Sequence, residues 1–230
     1  MSHPELLARV MVEACVDSIE GALASERVGA GRVELCGPGV GGTTPSFGLM
    51  ARCRERLRIP MHVMIRPREG NFEYNDDEFD TMLRDIKAAR SARADGVVFG
   101  ILRSDDTLDE ERMRVLVEAA RPMRVACHRA FDATPNAADA LETLLRLEID
   151  LVLTSGHSAT AMDGRDTLSA HCQRAGKALT VMAGGGVRAS NVIDIVRDTN
   201  VRDVHVRATD PDVFAAVMQQ LGRRPQEPIQ

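Results

Sequence analysis

The sequence predicts an α/β protein built as one (β/α)8 barrel, on three observations. Eight short runs of apolar and β-branched residues recur along 230 residues, helical spacing fills the intervals, and no linker or shift of composition divides the chain. Strands that alternate strictly with helices pair in parallel through right-handed crossovers. Eight such units close most economically into a barrel, a fold that runs to about 250 residues as one domain. The alternative, an open doubly wound sheet, uses fewer strands.

The first run is Val10–Val16, and the period-2 alternation of a strand puts Glu13 and Cys15 on one face. The second, Arg32–Cys36, does the same for Glu34 and Cys36, and the third, Met61–Arg66, aligns His62, Met64 and Arg66. Phe79, Met82, Leu83 and Ile86 then repeat at helical spacing before the fourth run, Gly96–Gly100. Met113, Leu116, Val117 and Ala120 do so before the fifth, Arg124–His128. Leu141, Leu144 and Leu145 precede the sixth, Asp150–Thr154, and the seventh, Ala178–Ala183, runs into Gly184-Gly185-Gly186. The eighth, Asp203–Val206, is followed by Phe214, Val217, Met218 and Leu221, again at helical spacing. The barrel domain is therefore expected over residues 10–221, with polar or proline-containing tails at 1–9 and 222–230.

Composition excludes several classes of function. With 29 Lys and Arg against 34 Asp and Glu the net charge is −5, and six Phe, one Tyr and no Trp leave little to stack on nucleic-acid bases. No apolar run approaches the roughly 18 residues of a membrane span, and residues 1–9 lack the apolar stretch of a signal peptide. Neither a nucleic acid nor a membrane is an expected partner, and a cytoplasmic location is. The five cysteines, at 15, 36, 53, 127 and 172, contain no C-x-x-C pair, which argues against a zinc ribbon or a disulfide scaffold.

A carboxylate under the helical layer would cost several kcal/mol, so Glu13 and Glu34 are expected inside the barrel. With His62, Arg66, His128, Asp132 and His205 they form the candidate catalytic set. The glycine triplet followed by Arg188, Ser190 and Asn191 reads as a turn into a capped helix, which aims N–H groups at an anion. Arg66 and Gly184, Gly185 and Gly186 are thus the candidate anion site. Cys15 and Cys36 lie near the ends of adjacent strands, about 4.8 Å apart in axis, where two sulfurs suit Cu(I). Like charge from Glu13 and Glu34 is expected to raise both thiol pKa values. Cys53 and Cys172 read as packing residues, and His157 and His171 as solvated or capping. The only lysines, Lys87 and Lys177, fall in a helix and before strand seven, which disfavours a Schiff base.

Glu13-Ala-Cys-Val-Asp-Ser18, Arg32-Val-Glu-Leu-Cys36, Gly41-Gly-Thr-Thr-Pro-Ser46, His62-Val-Met-Ile-Arg-Pro-Arg68, Asp95-Gly-Val-Val-Phe-Gly100, His128-Arg-Ala-Phe-Asp132, Leu153-Thr-Ser-Gly156 and Gly184-Gly-Gly186 resemble the CutC, or copper homeostasis protein, family. The resemblance runs from about Val10 to His205. It implies a cytoplasmic TIM-type barrel, often a homodimer, with a proposed copper site at the cysteines, for which Cys15 and Cys36 are the fitting positions. The chain departs from the family's pattern at Cys127, where an aromatic is expected, at Ala183, where Pro is usual, and at Val206-Arg207, where small residues are usual. Two functions follow as expectations: Cu(I) binding through Cys15 and Cys36, or an enzyme acting on a small anionic or phosphorylated metabolite. In the second, Glu34 or Glu13 serves as base and His128 as proton donor.

Overall fold

In the computed structural model, which describes residues 7 and 9–223, β1 (Met11–Val16), β2 (Arg32–Leu35), β3 (Met61–Met64), β4 (Gly96–Phe99), β5 (Arg124–Cys127), β6 (Leu151–Thr154), β7 (Thr180–Ala183) and β8 (Asp203–Arg207) form a closed parallel barrel in sequence order. The α/β reading and the eight strands therefore stand. The outer layer is α1 (Ile19–Arg27), α2 (Phe47–Arg56), α3 (Asp76–Ser91), α4 (Glu110–Ala120), α5 (Ala137–Arg146), α6 (Arg165–Ala175), α7 (Val192–Thr199) and α8 (Pro211–Gln220). Residues 1–6, 8 and 224–230, and with them most of both expected tails, lie outside the described residues. Where the tails are described they are anchored: Leu7 packs against the outer core and an Arg223 guanidinium donates to the Val10 carbonyl at 2.8 Å.

Local chemistry starts the helices where the periodicity begins. Asn75 and Glu78 form a reciprocal capping box on α3, Asn136 accepts from two N–H groups of α5, and Asp210 caps α8 ahead of Pro211. Strand alternation then sorts the side chains. Val12, Ala14 and Val16 of β1 join the large core under the helices, while Glu13 and Cys15 turn inward. Cys127 belongs to that outer core, opposite in parity to His128.

The barrel interior is divided. Met64, Val98, Ala126 and Leu151, with Cys36, fill one side with apolar groups. The other side is a buried charge network. Glu13, with no exposed surface, accepts a bond from Arg32 Nε, and His205 Nδ1 donates to its other oxygen at 2.8 Å. Arg32 Nη2 reaches Asp203 at 3.0 Å, and His62 Nδ1 lies 3.7 Å from Glu13. Burial would raise Glu13; Arg32, then His205, overcome it and hold its carboxyl well below the usual carboxylate range. Gly96 makes room for this cluster, because a Cβ there would come within 2.5 Å of the His62 ring.

His157 and His171 are not solvated or capping. His171 is buried in α6, its ring 5.4 Å from Phe131 and 5.9 Å from His157, and His157 shares a hydrogen bond with Thr134. The helical register of Leu168, His171 and Ala175 carries His171 inward with its apolar neighbours.

Two predictions follow from these buried groups. Arg32→Met removes the main counter-charge of Glu13 and should cost about 3–5 kcal/mol in urea unfolding, with the Glu13→Gln/Arg32→Met pair recovering part of it; equal losses in both would mean that Glu13 does not depend on Arg32. Burial depresses the folded pKa of His62 and of His171 to about 4, against about 6.5 unfolded. The unfolded chain therefore binds more protons below pH 6.5, and stability should fall on acidification by about 1.4 kcal/mol per pH unit for each histidine. His171→Leu should flatten that slope between pH 6 and 5, and an unchanged slope would show that His171 is charged in the fold.

Candidate functional site

A cavity of about 570 Å³ opens at the carboxyl ends of the strands, where barrel enzymes place their sites. It brings together Cys15, Cys36, Glu34, Arg66, His128 and His205 of the candidate set, with Gly185 and Gly186. Glu13 and His62 lie beneath it in the charge network and do not line it, so two imidazoles face the cavity, not three. Asp132 stands outside: its carboxylate takes bonds from Thr154 Oγ1, Arg129 Nε and the N–H groups of Ser155 and His157. It ties the loops after β5 and β6 together.

The two sulfurs are 3.9 Å apart. Glu34 Oε2 is 3.5 Å from Cys36 Sγ and 3.8 Å from His205 Nε2. The hydrogen bond from Cys36, with help from His205 and against burial, holds Cys15 well below the usual thiol range. Its bond to Cys15, then burial, pushes Cys36 up, and burial pushes Glu34 up. Burial opposes the charged form of His205, yet the negative charge of Glu34, Cys15 and Glu13 around it keeps its pKa raised. The expectation that both thiols are raised thus holds for Cys36 alone. At Cys15 the bond from Cys36 and the neighbouring His205 outweigh the like charge expected there. Cys127, pushed up to about 12 by burial, is remote from this chemistry.

The Arg66 guanidinium fork is engaged with backbone carbonyls. Nη1 donates to the carbonyls of Val40 and Gly42 and Nη2 to that of Gly70, so the side chain straps the glycine-rich loop after β2. Its Nε has no hydrogen-bond partner, and the guanidinium lies 5.1 Å from the Phe72 ring. His128 accepts at Nδ1 from the Ala130 N–H at 3.2 Å, so the proton of the neutral ring is on Nε2. That atom is unpartnered, and burial, then Arg66, depresses the His128 pKa to about 3.

The glycine triplet is present for close packing and for backbone shape. A Cβ at Gly184 would sit 2.3 Å from Leu153, and Gly185 and Gly186 have φ of +94° and +73°. The helix that follows is not capped by the Asn191 side chain: its Oδ1 accepts from the Arg188 N–H and its Nδ2 donates to the Gly186 carbonyl. Asn191 braces the turn instead.

Residue-by-residue reading gives no role to Arg32, Asp203 or Phe72, and none in binding to Arg129 or Arg188. Parity gave a signal for Arg32, which shares a face with Glu34 and Cys36. Arg129, Arg188 and Phe72 lie on loops, where no periodicity reports direction.

The CutC family model matches residues 10–210. A CutC family protein of Mesorhizobium japonicum is 43% identical over 199 residues, 86% of this chain and 77% of that protein. A copper homeostasis protein cutC homolog of Mus musculus is also 43% identical, over 86% of this chain and 73% of its own length. A crystal structure of CutC from Streptococcus agalactiae superposes with a TM-score of 0.82 at 33% identity, covering 87% of this chain and 100% of that one. Phosphoribosylanthranilate isomerase of Thermotoga maritima, at 14% identity and a TM-score of 0.58 over 93% of this chain and 98% of its own, shares the barrel fold. No helix among the described residues is long and apolar enough to cross a membrane. The match across the whole barrel, and relatives of this identity, make the chain a member of the CutC family.

Proposed function

We propose that this chain binds Cu(I) as its cargo through Cys15 and Cys36 at the barrel mouth, in the cytoplasm and as a homodimer. The observation that carries the reading is the sulfur pair itself, 3.9 Å apart with a Glu34 oxygen within 4.8 Å of both sulfurs. Two sulfurs on one soft ion at metal–sulfur bonds of about 2.3 Å stand at most about 4.6 Å apart. The observed separation suits a bent pair with room for an oxygen as third ligand. Thiolates select Cu(I) over harder cations, and the hydrogen bond from Cys36 lowers the Cys15 pKa in the direction that favours the thiolate. Names of relatives, copper homeostasis protein cutC homolog among them, agree with this cargo.

A second reading is favoured by a different observation. Glu34 Oε1, Arg66 Nε and His128 Nε2 are buried in the cavity wall without hydrogen-bond partners, and a two-sulfur copper site uses none of the three. A cavity of this size suits a small metabolite, and the cations around it favour an anion. In such an enzyme Cys15 is the base or nucleophile, protonated Glu34 the acid and His128 the donor that polarises the substrate. Glu13 is committed to Arg32 and His205, which leaves no base role for it.

Titration with Cu(I) against a competing chelator under reducing conditions tests the first reading. The protein should bind one equivalent, Cys15→Ser and Cys36→Ser should each weaken it, and the double variant should lose it, while Cys127→Ser binds as the parent does. Unchanged affinity in the double variant would remove both residues from the metal role. Light scattering checks the assembly, and a species of 25 kDa alone would contradict the homodimer.

A further inference from the structure

We infer that the cavity holds a phosphate subsite on its β7–β8 side, built by the backbone N–H groups of Gly186 and Val187 with Arg188 and Arg207, and that its ligand is a small phosphate monoester whose other end reaches His128 and Glu34. This rests on the second reading above and names its substrate class.

The turn is pinned so that its donors face away from its own supports. The Gly185 carbonyl accepts from the Ala161 N–H at 2.8 Å, and the Gly186 carbonyl accepts from Asn191 Nδ2 at 2.9 Å. Across a planar trans peptide the N–H points opposite to the carbonyl, so the N–H groups of Gly186 and Val187 are directed away from Ala161 and Asn191. Neither has a hydrogen-bond partner among the described residues, and both residues line the cavity. Donors fixed in this way, one turn ahead of α7, suit an anion.

The cations are distributed in the same sense. Arg66, Arg129, Arg188 and Arg207 all line the cavity in a chain whose net charge is −5. Arg129 pairs with Asp132, and Arg66 straps the loop after β2. Arg188 and Arg207 make no ion pair with a carboxylate among the described residues; the Arg188 guanidinium donates to the Val187 carbonyl. Asp17 and Glu34 are the acidic groups of the lining. Two guanidinium groups without a carboxylate partner and two backbone donors match the three oxygens and two charges of a phosphate better than the single charge of a carboxylate.

Two other side chains of the lining supply the second, independent observation. Glu34 Oε1 and His128 Nε2 belong to side chains more than nine-tenths buried, face the same cavity and have no partner. A hydroxyl or carbonyl on the phosphate-bearing molecule satisfies both. A phosphate alone would leave them unpaired.

Calorimetric titration of the full chain with inorganic phosphate, glycerol 3-phosphate, glycerate and glycerol tests this. Phosphate and glycerol 3-phosphate should bind, the latter more tightly, and glycerol should not. Arg188 and Arg207 are exposed, so Arg188→Gln/Arg207→Gln should keep the fold by circular dichroism while weakening both phosphates about tenfold or more, the equivalent of one lost charge-assisted hydrogen bond. His128→Asn should erase the advantage of glycerol 3-phosphate and leave inorganic phosphate unchanged. Phosphate binding that survives the double arginine variant, or equal binding of the two phosphates, overturns the proposal. Binding of glycerate without phosphate overturns it and leaves the anionic-metabolite reading standing; silence from every anion ends both.

Discussion

The burial of one carboxylate, Glu13, constrains most of what surrounds it. A side chain with no exposed surface remains ionised only if cations come to it, and they come from two strands, Arg32 on β2 and His205 on β8, with the imidazole of His62 on β3 packed beside them. Each of these is held in turn, Arg32 by Asp203 and His62 by the space above Gly96. A slip of one residue in any of these strands would turn its member of the network into the helical layer. The network therefore fixes register where β8 meets β1 and closes the barrel.

The same carboxylate reaches the mouth through one intermediary. His205 donates to Glu13 with Nδ1 and turns Nε2 toward Glu34 and Cys15. An imidazole whose pKa is raised there favours negative charge at the mouth, where Cys15 is lowered and burial raises Glu34. Both proposed functions draw on this arrangement. A copper site needs a ready thiolate beside a second sulfur, and an enzyme needs a base beside an acid. The apolar half of the interior, Met64, Val98, Ala126 and Leu151, keeps water from screening the charges.

Period-2 alternation made the fold and most of the interior legible in the sequence, because a strand leaves a side chain only two directions. Glu13, Glu34, Cys15, Cys36 and the outward Cys127 were placed on that ground alone. Height along the barrel axis was not legible, since parity gives direction and not depth; hence Glu13 and His62 were grouped with the mouth although they lie below it. Arg66 was correctly turned inward, but its partners are carbonyls of a loop whose path no periodicity reports. His171 was misread because a polar residue on a helix is usually solvated, and here it shares the buried stripe of Leu168 and Ala175. The two thiol shifts are not legible from charge along the strands, because their largest cause is the contact between Cys15 and Cys36 itself, a property of three-dimensional grouping.

The Cys15 thiol is lowered first by the hydrogen bond from Cys36 and then by His205, which Glu13 holds in place. The pH dependence of alkylation of Cys15 by iodoacetamide, in a background with Cys53, Cys127 and Cys172 changed to Ser, measures this most directly. The midpoint should lie well below the ordinary thiol value of about 8.5 and shift upward in Glu13→Gln and in His205→Gln. A midpoint near the ordinary value in the parent, or one that neither substitution moves, would contradict it.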